Sequence, residues 1–242
     1  MQLDINPTRH QMITDTFEEC KGILFDYGGT LDSDGERWPD RFYALYEEVA
    51  IDFPREEIKR AFYHAEDRCY ADPRVRTLGL RALMAAHVQW QFEALGVKDR
   101  RKEQFLVDKF CAVSEKFMLH AAHLLKQAKS RYRLGIVSNF YGNLATVLGE
   151  AELLEFFDVV VDSNLMGTRK PDTEIFRFAL TRLGLLAHQV IFVGDSYERD
   201  MIPSRVLGMK TIWLKGPGAV AVKAAEVDAC ISTLAELEAL VL

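Results

Sequence analysis

The chain has 242 residues, enough for one large domain or a main domain with a smaller companion. Hydrophobic residues make up 49% and charged residues 27%, the balance of a soluble globular protein. A formal net charge of -6 offers no electrostatic footprint for nucleic acid, although a few local cations would be enough to hold a small phosphorylated ligand.

Taken in chain order, five short β-branched runs stand out, at 23–25, 134–137, 159–161, 190–193 and 211–214. Each is apolar throughout and gives way to polar or glycine-rich residues, the pattern of strands buried on both faces of a parallel sheet. Helical patterns separate the last four. From Thr173 to Leu183, for example, Ile175, Phe176, Ala179, Leu180 and Leu183 share one face. The alternation predicts an α/β fold, a doubly wound parallel sheet.

Between the first two runs the rhythm changes. Residues 36 to 115 contain no convincing strand, only long helical patterns. Trp38, Phe42, Leu45, Tyr46 and Val49 share a face, and Leu83, His87, Trp90 and Ala94 continue the style. The Pro54 to Glu57 stretch reads as a helix start, with proline and acids in the first turn. An insertion this long far exceeds an ordinary βα loop of about 2–6 residues. The expected division is a core of 1–33 and 117–242 with an inserted α-helical domain over 34–116.

Four cysteines, Cys20, Cys69, Cys111 and Cys230, are scattered without a CxxC pair and read as reduced structural thiols. Residues 1–21 include Asp4, Asp15, Glu18 and Glu19 and lack the apolar stretch of a signal peptide. No apolar run approaches the ~20 residues of a membrane span. The expectation is a soluble, cytoplasmic protein with no membrane partner.

Ligands of open α/β sheets bind outside the carboxyl ends of the strands. Asp26-Tyr-Gly-Gly-Thr30-Leu31 follows the first run, and Ser138-Asn139 the second. Lys170-Pro171-Asp172 comes after the third, and Gly194-Asp195-Ser196 with Asp200 after the fourth. Carboxylates, a hydroxyl and a lysine are thus expected at one sheet edge. Clustered carboxylates raise one another's pKa unless a cation neutralises them, and hard oxygen ligands suit Mg²⁺. A nucleophilic carboxylate, a divalent cation and a lysine are the parts of phosphoryl transfer.

This ordered set of four motifs, running from about Lys21 to Trp213, resembles the signature of the haloacid dehalogenase-like superfamily. The helical insert stands where that family carries its C1-type cap. The resemblance implies a Mg²⁺-dependent phosphatase acting on a small phosphorylated metabolite, with Asp26 as the nucleophile that forms an aspartyl-phosphate. It implies that Ser138 and Lys170 assist catalysis, and that Gly29, Thr30, Ser138, Asn139 and Lys170 contact substrate. It also implies that Asp26, the Gly28 carbonyl and Asp195 hold Mg²⁺, with Asp200 on the ion or behind its ligands.

One position departs from the family's phosphatases. They usually carry a second aspartate, the general acid and base, where this chain has Gly28. That help is worth ~10²–10⁴-fold in rate. Asp32 and Asp34 are near enough in sequence to replace it. Dehalogenases of the family also lack the second aspartate, yet they work without metal and lose the acidic fourth motif, whereas Asp195 and Asp200 are both present here. The alternatives are therefore a catalytically weak phospho-ligand binding protein or a metal-independent 2-haloacid dehalogenase. Phosphonate hydrolysis calls for a Schiff-base lysine in the cap, and none stands out.

Taken singly, each motif has a plainer reading. Asp26 could cap a turn, Asp200 could be the N-cap of a helix over 201–207, and His120 with His123 could be surface residues rather than metal ligands. Arg74, Arg76 and Arg81 read as a solvated charged surface that could also meet an anionic substrate. The Trp38, Phe42 and Tyr46 face reads as packing within the helical insert.

Overall fold

Six parallel strands form one sheet in the computed structural model, which describes residues 16–216 and 226–242. They are β1 (Gly22–Phe25), β2 (Arg133–Ser138), β3 (Val159–Asp162), β4 (Val190–Gly194), β5 (Lys210–Leu214) and β6 (Ala229–Ile231). The order β3-β2-β1-β4-β5-β6 is that of a doubly wound Rossmann-like sheet, reversing direction between β1 and β4. Five strands coincide with the β-branched runs; β6, three residues long at the sheet edge, was not expected. Residues 1–15, most of the segment read as lacking a signal peptide, lie outside the described residues.

Register sets the site. Phe25 pairs with Ile136 on β2 and with Val193 on β4, so Asp26 leaves the sheet between its two central neighbours. Its N–H still reaches the Val193 carbonyl at 2.9 Å, which fixes where the side chain starts. Leu24, Val137 and Phe192 pack on one sheet face with Ile175, Phe176 and Leu183. The latter three come from the helix Thr173–Leu183, started by the side chain of Asp172, which accepts from the Glu174 N–H.

The opposite sheet face carries Ile23, Phe25, Ile191 and Val193, and its apolar cluster runs without a break into the helices between β1 and β2. Those helices are α1 (Trp38–Glu48), α2 (Arg55–Ala71), α3 (Leu80–Leu95) and α4 (Arg100–Ala128). Helix α4 has 29 residues, contains neither glycine nor proline, and begins at Asp99, whose carboxylate accepts from two backbone N–H groups of the first turn. The boundary expected at 116/117 falls inside this continuous helix.

Polar contacts tie the inserted helices to the loops beyond β2 and β3. Asn143 donates to the Leu78 carbonyl, Arg76 donates to Asn164, and Asn164 donates to the Tyr70 carbonyl. Glu150 accepts from the Leu80 N–H, capping α3 from outside the insert. A further tie sits under the site. The Asp32 carboxylate is fully buried and accepts from the Gly29 N–H (2.8 Å), Trp38 Nε1 (2.6 Å) and Arg41 Nη1 (2.9 Å). Arg41 also donates to the Phe110 carbonyl and Ser114 Oγ, and its guanidinium lies over the Phe110 ring. No described helix is long and apolar enough to cross a membrane.

Candidate active site

Asp26 is the centre of the site. Ser138 Oγ, at the end of β2, donates to Asp26 Oδ1 at 2.8 Å, and Lys170 Nζ reaches the same oxygen at 2.8 Å. Both donors converge on Oδ1, and no hydrogen bond from the described residues reaches Oδ2. Lys170 is almost wholly buried and also contacts Asp200 Oδ1 at 2.6 Å. The side chain of Asn139 clamps the lysine's backbone: its amide donates to the Lys170 carbonyl at 3.0 Å, and its oxygen accepts from the Lys170 N–H at 2.8 Å. Asn139 also lines the cavity, so placing Lys170 is a role beside the expected substrate contact.

Carboxylate oxygens of Asp26, Asp195 and Asp200 lie within 4.8 Å of one another. Burial, then the charges of Asp200 and Asp26, push the Asp195 carboxyl well above the usual range. Asp200 is also raised, by burial first, with Lys170 opposing. Burial alone would lower the Lys170 ammonium pKa, but the charges of Asp200 and Asp26 outweigh it and leave the value raised. The trio is short of positive charge, and hard oxygen donors of this kind suit Mg²⁺.

Gly29 shows why the motif needs glycine. Its φ is +93°, and a Cβ there would stand 2.8 Å from the Asp195 carboxylate. Gly29 and Thr30, expected to touch substrate, do not line the cavity: the Gly29 N–H is taken by Asp32, and Thr30 Oγ1 is buried without a hydrogen-bond partner. Asp200 is no N-cap either. It lies within a π-helical turn over Tyr197–Met201 and accepts from the Ser196 N–H, while the helix that follows spans Ile202–Val206.

Neither nearby aspartate replaces the carboxylate missing at Gly28. Asp32 is buried in its network with Arg41, and Asp34 accepts from the Leu234 N–H. The indole of Trp38 packs over Gly28, lying 3.4 Å from where a Cβ would stand. Trp38 therefore lines the cavity, whereas Phe42 and Tyr46 are packing residues. Arg74 pairs with Asp72 and Arg81 with Asp108, away from the cavity. Arg37 and Arg199 line it instead, and so does Glu66 of α2; no motif in the sequence marks them. His120 and His123 are exposed on α4, with His123 in contact with Gln127.

Both the sequence and the fold have known relatives. A family model described as haloacid dehalogenase-like hydrolase matches residues 20–208. Haloacid dehalogenase-like hydrolase domain-containing protein 3 of Bos taurus is 34% identical over 137 residues, 54% of each chain. Glyceraldehyde 3-phosphate phosphatase of Methanocaldococcus jannaschii is 42% identical over 57 residues, 24% of this chain and 25% of that one. The chain thus aligns with about half, or less, of the length of these curated relatives. A crystal structure of a dehalogenase with an intermediate complex shares the fold, with a TM-score of 0.63 at 19% identity over 92% of this chain and 97% of that one. Matched from just before β1 to beyond Asp200, the chain belongs to the haloacid dehalogenase-like hydrolase family.

Proposed function

We propose that this chain is a Mg²⁺-dependent phosphoric monoester hydrolase, acting on a small phosphorylated metabolite through an aspartyl-phosphate on Asp26. The observation that carries the reading is the convergence of Ser138 and Lys170 on one oxygen of Asp26, beside two further carboxylates. Named phosphatases among the relatives support it. Asp26, the Gly28 carbonyl and Asp195 would hold Mg²⁺, with Asp200 acting from behind by anchoring Lys170. When bound, the ion supplies charge neutralisation for the phosphoryl group.

The chain's own groups do the rest. Asp26 attacks phosphorus in line, the bond from phosphorus to the leaving oxygen breaks, and water then attacks the phosphorus to release phosphate and restore the carboxylate. Ser138 donates a hydrogen bond to a phosphoryl oxygen, and Lys170 offsets charge on nucleophile and phosphate. Residues 34–116 act as a C1-type cap over the core of 1–33 and 117–242, and cap opening admits substrate. All four cysteines are free thiols, consistent with a cytoplasmic enzyme.

A phosphate-release screen over sugar phosphates, nucleotides, acyl phosphates and small organic phosphates tests the reading. Activity is expected with Mg²⁺ and none in EDTA. Full activity in EDTA with halide release from 2-haloacids would instead establish a dehalogenase. Binding of phosphate analogues without turnover of any phosphorylated compound would establish a binding protein.

Mg²⁺ is also expected to stabilise the fold, since it relieves repulsion within the trio. At a concentration of 100 times Kd the gain is about 2.7 kcal/mol, roughly 5–10 °C in Tm for a chain of this size. Asp195→Asn removes a ligand charge and is expected to abolish that increment; an undiminished Mg²⁺ shift in the variant places the ion elsewhere.

Gly28→Asp addresses the missing acid. Gly28 does not have a left-handed φ, and the added Cβ meets only the Trp38 indole at contact distance, so the variant is expected to fold. Wild type is expected to hydrolyse acyl and aryl phosphates far faster than alkyl phosphates, whose leaving oxygen needs a proton. The variant is expected to raise alkyl phosphate turnover by up to ~10²-fold and narrow the gap. An unchanged preference in a folded variant means that the proton comes from another group.

A further inference from the structure

Beyond the groups that surround Asp26, the cavity contains one more carboxylate, Glu66, on the inserted helix α2. It is 18% exposed, and no lysine or arginine of the described residues pairs with it. Tyr141, from the loop after β2, donates its hydroxyl to Glu66 Oε1. His87 of α3 approaches the same oxygen through Nε2 at 3.8 Å.

The proton on that histidine follows from its other side. Tyr46 donates to the Gln91 side-chain oxygen at 3.2 Å, so the Gln91 amide nitrogen faces His87 Nδ1, at 2.8 Å, and donates to it. The ring proton then sits on Nε2, aimed at Glu66. His87 is fully buried, and Nε2 has no hydrogen-bond partner among the described residues, with Glu66 Oε1 beyond hydrogen-bond reach at 3.8 Å. Tyr141 thus holds one oxygen of Glu66 by a hydrogen bond, and the Tyr46, Gln91 and His87 chain turns the His87 N–H toward the same oxygen. Holding Oε1 from behind leaves Oε2 for a ligand.

Aromatic rings and two arginines complete the surroundings: Arg37, which pairs with Asp40, and Arg199 line the cavity, and neither forms an ion pair with Glu66 among the described residues. Trp38, Phe62, Tyr63 and Tyr141 line the same cavity as Glu66. A carboxylate without a cationic partner, set among ring faces, is matched by a positively charged group better than by a neutral one. We propose that Glu66 is the specificity-determining residue of the cavity, accepting a hydrogen bond from an ammonium group on the leaving alcohol of the substrate. Among alkyl phosphates, the favoured substrates are esters of amino alcohols. The inference rests on the phosphatase reading of the site.

The test compares 2-aminoethyl phosphate with ethyl phosphate as substrates, and 2-aminoethylphosphonate with ethylphosphonate as ligands that are not phosphate esters, all with Mg²⁺. Wild type is expected to favour the ammonium member of each pair by about 10- to 100-fold, in kcat/KM and in Kd measured by calorimetry. In kinetics the preference is expected chiefly in KM. Glu66→Gln keeps the shape and an accepting oxygen but removes the charge, and is expected to bring both ratios close to one.

A wild-type ratio near one overturns the proposal without any variant. A Glu66→Gln protein that loses activity or affinity equally for both members of a pair also overturns it, because the residue would then be structural. Hydrolysis of the esters with no ammonium preference sinks the specificity and leaves the phosphatase reading standing. A clear binding preference that Glu66→Gln removes, with no ester hydrolysed, keeps the specificity and sinks the phosphatase reading.

Discussion

Asp26→Asn is expected to reduce phosphate release by at least about 10⁴-fold, the scale of loss when a nucleophile is deleted. The structure makes the substitution clean. Ser138 and Lys170 both bind Oδ1 at 2.8 Å, and an amide oxygen there still accepts from each. The variant is therefore expected to fold and keep its lysine in place, losing only the charge and nucleophilicity of the carboxylate. Charge on Asp26 also contributes to holding the Asp195 carboxyl above its usual range, so removing it relieves repulsion. The same change takes one of two carboxylate partners from buried Lys170, so the two effects oppose and the Tm in EDTA is expected to change little. Mass spectrometry of a reaction quenched in acid is expected to find phosphate on Asp26 of the wild type and none on the variant. Undiminished turnover in Asp26→Asn would move the chemistry to another residue.

Arg41→Ala has the largest expected effect on stability. Arg41 and Asp32 are 4% and 0% exposed and 2.9 Å apart, and deleting the guanidinium strands a buried carboxylate. Breaking such a pair costs about 3–5 kcal/mol. Denaturant unfolding is the measurement, and a loss under about 1 kcal/mol would show that Asp32 is satisfied by Gly29, Trp38 and Ser114 Oγ, which donates to it at 3.3 Å. The Asp32→Asn, Arg41→Ala double variant is expected to recover part of the loss, since the stranded charge is gone. Activity is expected to fall as well, because Asp32 accepts from the Gly29 N–H in the loop behind the nucleophile, and Trp38, another of its donors, packs over Gly28.

Much of this was legible in the sequence, for identifiable reasons. Strands buried on both faces leave unbroken apolar runs, so five of the six could be placed, and the helix Thr173–Leu183 announced itself by its period. At the sheet edge β6 offers only Ala229, Cys230 and Ile231, too short for any pattern. The charged motifs were visible because each directly follows a strand. What escaped is what the fold brings together from afar. Arg41 meets Phe110 and Ser114, and Tyr141 meets Glu66, through side chains with no shared period or spacing. Asn139 was legible as a site residue, but its bonds to the backbone of Lys170 were not.

Helix α4 decides how the insert can move. The chain passes between sheet and insert twice, once through the loop after Asp32 and once along α4. Twenty-nine residues of unbroken helix form a rod of about 44 Å, with no glycine or proline at which to bend. One strut is therefore stiff and the other pliable, so if the insert opens as proposed, the expected motion is a swing rather than a hinge shared equally. The last turns of the rod are anchored, with Ala121, Leu124, Leu125 and Ala128 buried in the same apolar cluster as the sheet residues Ile23 and Phe25. Such a swing would move the insert along an arc, with the displacement growing with distance from the anchored end. The contacts made by Arg76 and Tyr70 with Asn164, and by Leu80 with Glu150, are the latches that such a swing must release.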